Sequence, residues 1–255
     1  METLIAEYGL VTVALGFAVM AFAGFVKGAV GFALPMITIS GVGSLMSAEL
    51  AVASILLPGL VTNVMQALRQ GLGEALGTLR RYWRLNLVLL VLIGVFAQLV
   101  VMLPGWALFV ILGSMVSVFG LLQLIGWRPR IAAARLKLAE WITGLVASFF
   151  GGLAGVWGPP ILMYLLARET PKLELVRAQG IAFLIGSVVL VVAHQRSGLL
   201  NEVTLPFSAW LVVPAVCGMV AGQVMQDRLD QARFRKLTLV VLVFAGLNLL
   251  RRGLF

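Results

Sequence analysis

The chain is poor in charge, in cysteine and in histidine, and each shortage excludes a class of function. Of 255 residues only 11% are charged and 61% are apolar, with a mean hydropathy of +1.07. A soluble domain carries about 25% charged residues, so this chain cannot cover a water-facing surface. Soluble enzymes and nucleic-acid binders are excluded, and the net charge of +9 reads as a surplus on cytoplasmic loops of a membrane protein. A single cysteine, Cys217, excludes an internal disulfide, and with the single histidine, His194, it cannot make a four-ligand Cys/His zinc site. No metal and no cofactor is expected. The motifs G-x-x-x-x-G-K-[ST], G-x-S-x-G and H-E-x-x-H are absent as well, which removes the signatures of ATP-driven transport and of intramembrane hydrolysis. The opening METLIAEYGL has Glu2 and Glu7 where a secretory signal is basic, so the first apolar segment is expected to remain in the protein.

What the chain does have is long apolar runs, unalternating and therefore helical, not the two-residue pattern of a membrane barrel. It also repeats itself. Gly24, Gly28 and Gly31 in GFVKGAVGFALP recur 127 residues later as Gly151, Gly155 and Gly158 in GGLAGVWGPPIL, and Arg69 and Gly71 recur at the same offset as Arg196 and Gly198. Two landmarks sharing one offset predict a duplication, with repeat 1 at 1–127 and repeat 2 at 128–255. The expected elements are a hairpin at 9–43 with helices at 50–68, 85–102 and 106–126, then a hairpin at 139–167 with helices at 178–194, 206–225 and 237–250.

Charge decides how often each repeat crosses. If each glycine-broken pair is one interrupted helix, 11 basic residues lie inside and 7 outside; if each is a hairpin returning to its own side, the count is 15 against 3. The positive-inside rule favours hairpins. Each repeat then crosses three times, so the predicted fold is an all-α polytopic membrane protein of two inverted repeats, as in many secondary transporters.

The hairpin tips are the candidate site. Broken backbone at membrane depth is tolerated only where protein buries it or it lines a cavity. Pro35 follows the first break, and Pro159 and Pro160 the second, each suited to start a helix whose free N–H groups attract anions; those at 35–37 and 161–163 are expected to face the ligand. Lys27, placed by this reading inside the first break at 26–29, is a functional candidate because a mid-membrane charge costs about 2.5 to 3.5 kcal/mol; snorkelling is its plain alternative. All ten acidic residues sit in loops or at segment ends, so no span has the central carboxylate that a cation site or proton relay needs. Neutral polar residues in such helices mostly bind helix to helix, but Asn63 and Gln179 follow the two hairpins directly. The expected binding set is Lys27, Gly28, Gly31, Pro35, Asn63, Gly155, Trp157, Gly158, Pro159, Pro160 and Gln179. His194 reads as a solvated histidine at a span end. The expected partners are a small anion and the lipid bilayer, with no nucleic acid; a homodimer is left open, as are channel and enzyme readings beside the carrier.

The breaks GFVKGAVGFALP and GGLAGVWGPPILMYL, the segment ends ALRQGLGE and HQRSGLLNEV, and Pro171, Lys172 and Arg177 together resemble the sulfite exporter TauE/SafE family of permeases. The resemblance runs over nearly the whole chain. It implies transport of a sulfur-containing anion, such as sulfite or an organosulfonate, across the bacterial inner membrane. The chain departs from the family's fullest pattern at Pro159 and Pro160, where a further glycine pair is common.

Overall fold

The computed structural model describes residues 2–127, 131–225 and 231–254. Arg128, Arg130, Asp227, Arg228 and Asp230 of the charge count lie outside them. Among the described residues there are thirteen α-helices, one short 3-10 turn and no strand. The helices are α1 (Glu2–Tyr8), α2 (Leu10–Val30), α3 (Leu34–Leu45), α4 (Ala48–Leu68), α5 (Leu72–Arg81), α6 (Trp83–Ala97), α7 (Leu99–Met102), α8 (Gly105–Leu124), α9 (Leu136–Ala154), α10 (Gly158–Ala167), α11 (Lys172–Arg196), α12 (Thr204–Met225) and α13 (Gln231–Leu254). Seven segments among them are long and apolar enough to cross a membrane, α6 and α7 counting as one. The chain is therefore a multi-pass membrane protein.

The breaks fall later than the apolar runs suggest. Helix α2 continues through Lys27 and ends at Gly31, whose φ of 86° is the left-handed cap that glycine adopts without strain. Ala33, at φ 81°, is left-handed too, and Pro35 then sits in the first turn of α3. In the second half α9 ends on left-handed Gly155, and α10 starts at Gly158 with its prolines next. Helix α11 begins at Lys172, six residues before position 178, because Pro171 precedes its first turn and a proline there costs no hydrogen bond. Helix α5 is an amphipathic addition. Its Leu72 and Leu76 are exposed, while Arg177 holds its other face through Thr78 at 2.6 Å and Glu74 at 2.5 Å.

Both glycine-broken pairs fold back on themselves. Thr38 donates to Met20 Sδ, Gly41 lies against Val19 and Gly16 against Met46, so α3 returns antiparallel along α2, and Tyr8 and Ser47 line the same surface pocket. In the second pair Tyr164 of α10 reaches Glu140 of α9. Glu140 is buried there at 2% exposure, with Arg84 at 3.7 Å and the Leu85 N–H at 3.4 Å.

Small residues set the helix pairs, because close approach of backbones is the main source of contact between helices in lipid. A Cβ on Gly24 or Gly28 would strike the Ala215 or Met219 carbonyl, so α2 lies parallel against α12; Gly144 on Val88 and Gly152 on Phe96 place α9 parallel to α6 in the same way. Helix α4 crosses α11 antiparallel where Ala67 meets Gly180, and α8 pairs antiparallel with α13 through Gly113, Gly246 and Gly253. The two hairpin tips meet beside the α4–α11 crossing, with Phe32 against Gly158.

Candidate functional site

Lys27 occupies the last turn of α2 and is 3% exposed. Its ammonium donates to Thr62 Oγ1 at 2.9 Å and to Asn63 Oδ1, both on α4. The Asn63 amide in turn donates to Ser187 Oγ at 2.6 Å and to the Phe183 carbonyl at 3.1 Å on α11. One turn further along α4, Gln66 Nε2 donates to the Gly31 carbonyl at 3.0 Å. This network ties the first tip to the crossing helices. Among the described residues no carboxylate pairs with Lys27. The buried amine is hydrogen-bonded but has no carboxylate partner, so its protonated form would attract an anion.

Lys27 stands between two spaces of unequal size. On one side is a cavity of about 30 Å³ between the tips, walled by Phe32, Pro35, Trp157, Gly158, Phe183 and others. A water needs roughly 10 to 15 Å³, so this space is far narrower than its neighbour and has room for a few waters. On the other side is a vestibule of about 430 Å³ reaching Arg69 at the end of α4 and Thr170 before α11.

The expected residues divide between these spaces. Lys27, Pro35, Asn63, Gly155, Trp157, Gly158 and Pro159 line the small cavity, whereas Gly28, Gly31 and Gln179 line the vestibule together with Lys27. Pro160 is buried in α10 and lines neither. Three expectations change. Lys27 is helical and not in the break, because the cap is Gly31. The helix N-termini offer fewer donors than their positions suggest: Ile37 N–H bonds the Ala33 carbonyl and Ile161 N–H the Trp157 carbonyl, and three prolines have none, leaving Leu34, Met36 and Gly158 in the two first turns. His194 is fully buried, with Nδ1 3.4 Å from Ser197 Oγ and Nε2 without a hydrogen-bond partner; the Gly152 backbone of α9 lies beside the ring, so a neighbouring hairpin covers this end of α11, which a span end would otherwise leave in solvent.

Thr62, Gln66, Ser187, Phe32 and Arg69 lie at the candidate site and are not among the expected binding residues. One signal was present for part of the set. Asn63 and Gln66, three residues apart, share one face of α4.

The family model described as Sulfite exporter TauE/SafE matches residues 16–249, spanning both hairpins and the site between them. The chain belongs to the TauE/SafE family. No curated protein and no solved structure matches it. As a TauE/SafE member the chain is a membrane transporter of the sulfite-exporter type, and the unneutralised Lys27 is chemistry suited to such an anion.

Proposed function

We propose that this TauE/SafE chain is a secondary transporter that exports a small sulfur-containing anion across a bacterial inner membrane, binding it on the vestibule side of Lys27. One observation carries the reading: a buried, hydrogen-bonded ammonium without a carboxylate partner faces the larger of two spaces. The antiparallel pairing of α4 with α11 and of α8 with α13, elements one repeat offset apart, supports two inverted repeats at 1–127 and 128–255. Basic loops after α4 and before α11 support a vestibule mouth on the cytoplasmic side. An anion entering there meets Arg69, then Lys27, and the 30 Å³ gap beyond closes its way until the tips part. That closure supports a carrier over a channel. At about −100 mV inside, each negative charge gains about 2.3 kcal/mol on leaving, so export needs no ATP.

Calorimetric titration of the purified protein with sulfite, sulfate, ethanesulfonate and acetate tests the reading. Sulfite or the sulfonate is expected to bind, and Lys27→Met to lose that binding. Sidedness is tested by labelling a cysteine placed at Gly77 or at Glu202 after replacing the exposed Cys217; the first is expected to react from the cytoplasm and the second from outside. Absence of binding by every sulfur anion, or the opposite labelling pattern, would overturn the reading.

A further inference from the structure

Two glutamines in the wall of the vestibule each leave one amide atom buried and unbonded. Gln66 and Gln179 both line it and are 5% and 2% exposed. The Gly31 carbonyl accepts only from nitrogen, so its 3.0 Å bond to Gln66 Nε2 sets the orientation of that amide. Gln66 Oε1 is then an acceptor with no donor, and Gln179 Nε2 is a donor with no acceptor. Buried groups left this way lose their hydration and regain nothing from the protein. Both lie beside the crossing where Ala67 meets Gly180, one turn outward from the partners of Lys27.

A cation, a spare donor and a spare acceptor in the wall of one space describe the complement of a ligand toward which the two amides turn: anionic oxygens toward Lys27 and Gln179, and an O–H or N–H toward Gln66. We propose that Gln66 is a specificity residue that selects, among anions reaching Lys27, those carrying a hydrogen-bond donor of their own. The favoured ligands are a protonated oxyanion or a short sulfonate with a hydroxyl or ammonium group at its other end. The proposal rests on the transporter reading above. An anion of equal size without the donor leaves Gln66 Oε1 buried and unpaired, and sites built on such groups discriminate more strongly than apolar pockets do.

The test compares ethanesulfonate with isethionate, its hydroxylated counterpart, by calorimetry on the full-length protein in detergent. Isethionate is expected to bind about tenfold more tightly, equivalent to about 1.4 kcal/mol. Gln66→Met is expected to bring that ratio to about one, whereas Gln179→Met should weaken both ligands together. The comparison in the parent protein needs no variant, so a misfolded variant does not decide the matter. Equal binding of the two sulfonates, or binding of sulfite with neither, would overturn the selection by Gln66 and leave the transporter reading standing. Failure of sulfite and both sulfonates would remove both.

Discussion

The two hairpin tips share a glycine spacing and a fold, yet only the first carries a charge. At the repeat offset Lys27 corresponds to Ala154, Thr62 to Val189, Asn63 to Leu190 and Gln66 to Ala193, while Gln179 corresponds to Val52. Each of these five polar side chains has an apolar counterpart in the other half, whereas Arg69 at the vestibule mouth recurs as Arg196. The second tip contributes bulk instead: Trp157 fills the space over Gly151 and Gly186 and tilts against Phe183 with ring centroids 6.2 Å apart. The glycines build the hairpins and the helix pairs in both halves, and a handful of polar side chains surround the buried lysine at one of the two tips. The backbone conditions for close packing are the same on either side, whereas a buried cation is tolerable only where acceptors converge on it.

The largest effect should come from the packing that the halves share. Gly24→Leu would drive a side chain into the Ala215 carbonyl, and Gly152→Leu would do the same against Phe96 and Ala97. Overpacking of this kind costs about 1 to 3 kcal/mol and more against backbone, so both variants should fail to give monodisperse protein on size exclusion. Survival of only one would mean that the halves are not built alike.

Lys27→Met breaks the comparison where the halves differ. Loss of a charged hydrogen bond is worth about 1.5 to 3 kcal/mol, so anion affinity should fall by roughly ten- to a hundredfold in calorimetry. The empty protein should also melt earlier, because Asn63 Oδ1 and Thr62 lose their buried donor. This departs from what an isolated lysine in an apolar setting suggests, where removing the charge would relieve the fold.

Next comes the pair Gly31→Ala and Gly158→Ala. Gly31 has open space for a methyl but a φ of 86°, and left-handed backbone costs an L-residue about 1 to 2 kcal/mol. Gly158 has no such φ and would bring a methyl 3.3 Å from Phe183 Cζ, a contact the ring can relax. Thermal melting should therefore fall further for Gly31→Ala than for Gly158→Ala, and the reverse order would put the strain at the second tip.

The smallest effect expected is that of Ser187→Ala, which removes one of the two acceptors of the Asn63 amide. A neutral hydrogen bond contributes about 0.5 to 1.5 kcal/mol. Anion binding should weaken by severalfold at most, and a loss as large as that of Lys27→Met would make Ser187 a direct contact.

Much of this architecture was legible in the residues. Hydropathy found the spans, and Pro35 and Pro159 marked the returns, since a proline in a first helical turn leaves a local trace. The register of the breaks was less legible. Apolar runs end at a charge, so Lys27 looked like an interruption, whereas a helix ends where its cap can form, at Gly31. Asn63 stands out by its position after the hairpin, but a lone glutamine in an apolar segment, such as Gln66, has no signature.

By itself the sequence determined that the chain lies in a membrane, where its helices run and that its glycine breaks recur, because hydropathy, proline and glycine act within a turn or two of the backbone. Only the tertiary structure decided what surrounds Lys27. Its acceptors lie 35 and 36 residues away, and Asn63 is held by a residue 124 positions further on. The same holds for His194, which a neighbouring hairpin buries. Partners so distant in the chain meet only through the crossing of α4 and α11, and that crossing depends on which small residues let backbones approach. Polarity is a property of a residue, but burial and pairing belong to the packed assembly of helices.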